Sequence, residues 1–241
     1  MKKILLIFSF LIATLIGSGQ NAIPLGVINS QGGVTGVAAP ACLTDVNTTK
    51  GWYDFEVGVT LSGSEVTQWD DQSGNGNHLV GAASYRPDLT ATGILFNGSS
   101  DQLRDVTMAL SQPIIVYAVM IQVTHTNADY LFDVGAGVSV RQTTLSGQVQ
   151  LNSGGSSFSQ SGTPINSYAI YRILWNGASS KMVYNTTAQT GTVGADGGTY
   201  FRISKDGVDG GNMEVKEVIV RNTTDYEADI LSYLNTKYSI Y

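Results

Sequence analysis

Apolar residues along this chain recur mostly at every second position, in runs short enough to be strands and separated by turns of Gly, Asn, Asp and Ser. The stretch from Val66 to Leu103 sets the plan. It holds a short strand ending in Trp69, the loop Asp71-Gln72-Ser73-Gly74-Asn75-Gly76-Asn77, and a second strand at Ile94-Leu95-Phe96. The loop's two glycines tolerate positive φ, and its Asp, Ser and Asn side chains bond neighbouring backbone, so a helix is excluded there. Pro113 to Ile121 is apolar on both alternating faces, the pattern of a central strand covered on both sides. From Tyr168 to Trp175 the faces separate: Ala169, Tyr171, Ile173 and Trp175 on one, Tyr168, Ile170, Arg172 and Leu174 on the other. The Gly- and Ser-rich segment 154–162 reads as a weak edge strand or a loop, and Asn176-Gly177 as the turn of a hairpin. Near the end the period changes. Glu227, Leu231, Leu234 and Tyr238 fall at helical spacing beside Ile230, and Thr224 and Glu227 have capping-box spacing. The expectation is an all-β antiparallel sandwich closed by one short amphipathic helix.

The opening differs. Met1-Lys2-Lys3, an apolar run from Ile4 to Ile16 and Gly17-Ser18-Gly19 have the layout of a secretory signal peptide over residues 1–19, the apolar run being too short to span a bilayer. Residues 20–44, mostly small and without charge, read as an extended linker or lead-in segment, and 45–241 as one domain. The expected address is therefore secreted or cell surface, with no stable membrane span after cleavage.

Formal net charge is −6, and losing Lys2 and Lys3 makes it −8. No basic cluster offsets it, which argues against nucleic acid as a partner. Cys42 is the only cysteine, so neither an internal disulfide nor a thiolate metal cluster can form. His78 and His125 stand alone, and no nucleophile elbow, phosphate-binding loop or dinucleotide fingerprint is present. The candidate ion site is the glycine-rich loop, where Asp71, Ser73 and Asn75 at alternate positions offer oxygens to a hard cation such as calcium. Asp70, Asn77 or Asp101 would complete it. The competing reading is an Asx or Ser turn in which the same side chains bond backbone N–H groups. Sugar binding needs an aromatic face with polar groups at its rim. Tyr171, Arg172 and Trp175 are the candidates, although strand alternation turns Arg172 away from the other two.

Trp69, Asp71, Ser73 to Asn77, Arg86-Pro87, and Phe96, Gly98, Asp101 and Leu103 together resemble the W-x-D-x-S-G-N-G-N, R-P and F-x-G-x-x-D-x-L blocks of the concanavalin A-like lectin/glucanase superfamily, laminin-G-like domains included. The opening Trp52-Tyr53-Asp54 and the terminal strand and helix are similar too. The resemblance implies a two-sheet antiparallel jelly-roll sandwich with a short C-terminal helix. It leaves function open, because that superfamily hosts enzymes, lectins and structural proteins. Glucanases on this fold place carboxylates at alternate strand positions, E-x-D-x-E or close to it. The five glutamates, at 56, 65, 214, 217 and 227, do not follow that pattern. Glu214 and Glu217, three apart, point to opposite faces of a regular strand unless a bulge intervenes. Asp129 and Asp133 share a face but sit at a strand end. The sequence thus predicts a secreted, non-enzymatic module that binds a glycan or another cell-surface ligand. The alternative is a structural or adhesive subunit of a cell-surface or phage virion assembly, self-associating through residues 20–44. A polysaccharide hydrolase or lyase comes last.

Overall fold

The computed structural model describes residues 36–205 and 209–241; the expected signal peptide and residues 20–35 of the lead-in segment lie outside the described residues. The compact unit begins at Val37, so the end of the segment read as a linker belongs to the fold. Leu43, in a 3-10 turn at Ala41–Thr44, is fully buried, and Val37 and Cys42 pack with it.

In chain order the strands are β1 (Thr49–Asp54), β2 (Val59–Ser62), β3 (Glu65–Trp69), β4 (Leu79–Val80), β5 (Asp88–Leu89), β6 (Ile94–Asn97), β7 (Gln102–Asp105), β8 (Ile114–Gln122) and β9 (Tyr130–Gly135). Then come β10 (Val138–Gln142), β11 (Gln148–Ser153), β12 (Ser156–Ser161), β13 (Ala169–Trp175), β14 (Ser180–Tyr184), β15 (Thr187–Gly191), β16 (Phe201–Ser204) and β17 (Asn212–Arg221). A single α-helix among the described residues, α1 (Glu227–Tyr238), follows. The ladders between these strands are antiparallel. One run of pairings has β8 between β17 and β13, with β14 and β15 beyond β13 and β1 and β6 beyond β17. The other runs β2, β3, β4, β7, β16, β9, β10, β11, β12. β5 joins the two runs by pairing with both β3 and β6. At the far side Gln160 Nε2 of β12 donates to the Thr187 carbonyl of β15 at 3.1 Å. The sheet therefore curls around one interior and is nearly barrel-shaped, filled by Trp69, Phe96, Phe132, Tyr171, Trp175 and Phe201.

β8 explains the second apolar cluster. Its inward residues Val116, Ala118 and Met120 join the main core, while Ile115, Tyr117 and Val119 face outward against α1. Ile230, Tyr233 and Leu234 cover them, with Leu231 only partly buried, so Tyr233 takes a place in the helix stripe that the spacing gave to Leu231. The expected capping box does not form: Tyr226 caps the helix in a left-handed conformation without a side-chain bond. Glu227 instead pairs with Arg172 of β13, and Arg221 donates to the Asp225 carbonyl.

Beneath the helix lies a charged knot. Glu217, fully buried, accepts from Trp52 Nε1 at 2.7 Å, Tyr238 Oη at 2.8 Å and Lys237 Nζ at 3.0 Å, and Lys237 also pairs with Asp54, directly opposite Glu217 in the β1–β17 register. Burial holds the Glu217 carboxyl above its ordinary range; burial would lower Lys237, but Glu217 and Asp54 raise it overall. Lys237→Met would leave two carboxylates facing each other without a counter-charge, and should lower the unfolding free energy in urea titrations by about 3–5 kcal/mol, with Lys237→Arg recovering most of it.

Candidate active site

Cross-strand register builds an acidic row on the outer surface. Glu65 of β3 lies opposite Asp88 of β5, Asp88 opposite Leu95 of β6, and Leu95 opposite Glu214 of β17. At the ordinary strand spacing, Glu65 and Asp88 have backbones roughly 5 Å apart, and Asp88 and Glu214, flanking Leu95, roughly 10 Å. Beside this row is a cleft of about 360 Å³ lined by Glu65, Arg86, Asp88, Leu95, Asn97 and Asp101.

The F-x-G-x-x-D-x-L block positions Asp101. Phe96 and Leu103 are fully buried and anchor the turn between β6 and β7. Gly98 sits at φ +76° against Asn212, where a Cβ would lie 2.5 Å from the Asn212 Cβ; only glycine fits. Asn97 Oδ1 accepts from the Ser99 and Ser100 N–H groups, and Asp101 Oδ2 accepts from the Asn97 N–H at 3.0 Å. Burial raises the Asp101 pKa; the Asn97 N–H bond opposes this, and the charges of Asp88 and Glu65 add to it. Asp88 is exposed and accepts from Ser64 Oγ at 2.7 Å, while Arg86 Nη1 stands 3.7 Å from Glu65 Oε2. One buried acid with a raised pKa beside exposed carboxylates is the arrangement that separates a proton donor from an anionic partner.

Two register irregularities decide which acids share a face. Met120 pairs with Val215 but Val119 pairs with Glu217, so Lys216 is an extra residue on β17. That bulge turns Glu214 and Glu217 to the same outer face, correcting the expectation of opposite faces. Tyr168 donates to Glu214, and Lys216 Nζ lies 4.2 Å from the Tyr168 ring centre. Conversely, Ser139 pairs with Asp133 and Arg141 with Tyr130, so β9 carries an extra residue between them. Asp133 and Asp129 consequently fall on opposite faces. Asp133 bonds Arg202 and Tyr200 Oη, whereas Asp129 sits near Thr126, Asp209 and His125.

The other sequence candidates are placed differently. Tyr171 and Trp175 are 2% and 0% exposed and belong to the interior: Trp175 Nε1 donates to the Asn152 carbonyl and Tyr171 Oη is bonded by Gln122 Nε2. Arg172 is on the opposite face, against Glu227. The three are not brought together, and neither ring presents a face to a sugar. In the glycine-rich loop, Asp71 Oδ1 accepts from the Trp52 and Ser73 N–H groups and Oδ2 from Ser73 Oγ and the Asn77 N–H, at 2.8–3.1 Å. Asn75 Nδ2 donates to the Thr49 carbonyl and Asn77 Nδ2 to that of Lys50, tying the loop to β1. The only carboxylate among Asp71, Ser73 and Asn75 thus receives four donors, the bonding of an Asx and Ser turn. Glu65 and Asp88 were missed in the sequence because alternation marks them only as exposed; Arg86 stood in the recognised blocks without an assigned site, and the sequence offered Asp101 only as a further oxygen for the glycine-rich loop.

The Asp71 bonds lead us to expect equal melting temperatures in calcium and in chelator, and a loss of about 2–4 kcal/mol of stability for Asp71→Ala. Burial pushes Asp129 up to about 6 from 3.8. A carboxyl with a raised folded pKa favours folding while protonated, so that contribution is lost as pH rises through about 6. Stability measured from pH 4 to 7 should therefore decline more in the parent protein than in Asp129→Asn.

No family model and no curated protein matches the sequence. Solved structures do share the fold. A Trypanosoma rangeli sialidase in complex with sialic acid is 13% identical at a TM-score of 0.58, covering 85% of this chain and 35% of its own. A GH54 α-L-arabinofuranosidase soaked with a cyclic sulfate inhibitor is 12% identical at a TM-score of 0.56, covering 82% of this chain and 65% of its own. The chain thus spans about a third of the one and just under two thirds of the other. These neighbours correct the expectation of a non-enzymatic binding module: the fold is one that glycoside hydrolases carry, and the β17 bulge removes part of the premise on which catalysis was set aside. At such identity the likeness concerns the β-rich fold alone.

Proposed function

We propose that this chain is a carbohydrate-active enzyme that hydrolyses glycosidic bonds in the Glu65–Asp88–Asp101 cleft. The observation that carries the reading is the buried Asp101, its pKa raised, in one cleft with two exposed carboxylates. Asp101 donates the proton to the departing glycosidic oxygen. Asp88 or Glu65 stabilises the positive charge that develops on the sugar ring, as nucleophile or as base toward water. Arg86 orients Glu65, and Leu95 supplies an apolar floor. The cleft volume is within the range of small-ligand pockets.

The same proposal takes the curled sheet to be a concanavalin A-like jelly roll. It is supported by the two runs of antiparallel pairings and by the interior placement of Trp69, Phe96 and Leu103 from the resembling blocks. Export to the cell exterior remains part of it, resting on the charge and hydropathy of residues 1–19.

A panel of α- and β-linked 4-nitrophenyl glycosides tests the activity. Asp101→Asn, which keeps an acceptor for the Asn97 N–H, should lower kcat by about 10²–10⁴-fold with unchanged folding. Because burial and then the charges of Asp88 and Glu65 raise the Asp101 pKa, whichever of Asp88→Asn and Glu65→Gln retains turnover should move the alkaline limb of the kcat/KM profile to lower pH, the other being the nucleophile or base. Full activity in Asp101→Asn, or no turnover of any panel member, overturns the reading.

A further inference from the structure

A second polar surface lies on the outer face of β9 to β12. Register aligns two rows there: Tyr130, Arg141, Gln150 and Ser159 in one, and Asp133, Ser139, Asn152 and Ser157 in the next. A groove of about 420 Å³ runs along them. Most cations near a carboxylate in this acidic protein are paired with it: Arg172 with Glu227, Arg202 with Asp133, Lys205 with Asp209, Lys237 with Asp54 and Glu217. Arg141 is different. Among the described residues its guanidinium meets only the neutral amide oxygen of Gln150, from Nε at 3.2 Å and Nη2 at 3.0 Å, so its charge is oriented but not neutralised.

The carboxylate closest in register, Asp133, does not compensate it. Its oxygens already receive the Gly135 N–H, Tyr200 Oη and Arg202. Lys205 Nζ, itself paired with Asp209, lies 4.3 Å from the Tyr130 ring centre and steadies that ring at the end of the groove. Tyr130 supplies an aromatic surface, and Asn152 and Ser157 supply hydroxyl- and amide-binding groups along the second row. A fixed guanidinium beside an aromatic ring and a line of neutral polar side chains matches a hydroxylated ligand carrying a planar anion.

We propose that this groove is a binding subsite for carboxylated sugars, uronate-type oligosaccharides, with Arg141 as the residue that selects the carboxylate. It stands on a different surface from the Asp101 cleft and does not depend on catalysis there.

Calorimetric titration of the full chain with a linear oligogalacturonate and with its methyl ester tests this, since the ester keeps the sugar rings and linkages and replaces each carboxylate by a neutral, slightly larger group. The acid should bind at least ten-fold more tightly than the ester, with the difference shrinking as salt rises. Arg141→Gln should remove that preference while leaving the melting temperature in place, and Arg141→Lys should restore only part of it. Asp101→Asn should bind the acid as the parent protein does, which separates failure of the groove from failure of the cleft. Equal binding of acid and ester, no binding of either, an unchanged preference in Arg141→Gln, or equally tight binding of inorganic polyphosphate would each overturn the proposal.

Discussion

The ladder between β8 and β17 holds the rest of the molecule in place. β8 is buried on both faces, so its inner residues need the curled interior and its outer residues need a cover, which α1 provides. The eight residues from Ile114 to Ile121 include no charged side chain, and without the helix Ile115, Tyr117 and Val119 would be exposed to water at a cost of roughly 2 kcal/mol each. The helix is held over them by the Glu217–Lys237–Asp54 knot, in which two buried acids share one lysine and three hydroxyl or indole donors satisfy the remaining lone pairs. Such a knot adds less net stability than apolar packing of the same volume, but it tolerates no missing member.

The same ladder also sets the chemistry of the surface. By inserting Lys216 opposite no partner, β17 changes the parity of everything after Val215, so Glu214 and Glu217 both face outward. Glu214 then becomes the end of a row that crosses β6 and β5 to Glu65, beside the cleft that holds Asp101. On the opposite run, the extra residue in β9 separates Asp129 from Asp133 and leaves Asp133 free to neutralise Arg202. Two single-residue irregularities thus decide which acidic groups share a face, and the one in β9 also turns the consecutive Leu131 and Phe132 both into the core.

The glycine-rich loop is a structural joint within this scheme. Four donors converge on Asp71, and Asn75 and Asn77 reach back to β1, so the loop fastens β1 to the strand that leads into the cleft region. Its residues resemble a cation site in sequence because both roles ask for oxygen-bearing side chains at alternate positions. The neighbouring N–H groups point at the Asp71 carboxylate and supply positive partial charge to it, which is the bonding the turn role asks for.

What the amino-acid sequence determined by itself was the class of fold, since alternation, short spacing and glycine-rich turns leave antiparallel β structure as the only way to bury Trp69, Phe96 and Trp175 together. It determined the two-sided burial of β8, the C-terminal helix and that Tyr171 and Trp175 share a face, because these follow from periods of 2 and 3.6; that this face is the interior and not a sugar platform was decided by the tertiary structure. It could not determine which acids face one another. A bulge shifts parity by one residue with no compositional mark, so Glu214 with Glu217 and Asp129 with Asp133 were each read the opposite way. Nor could it assemble Glu65, Asp88 and Asp101, which lie on three separate segments and meet only through the pairing of β5 with both β3 and β6. Side-chain direction within one strand is a local property; the meeting of side chains from different strands is decided by register, and register is fixed only when the whole sheet closes.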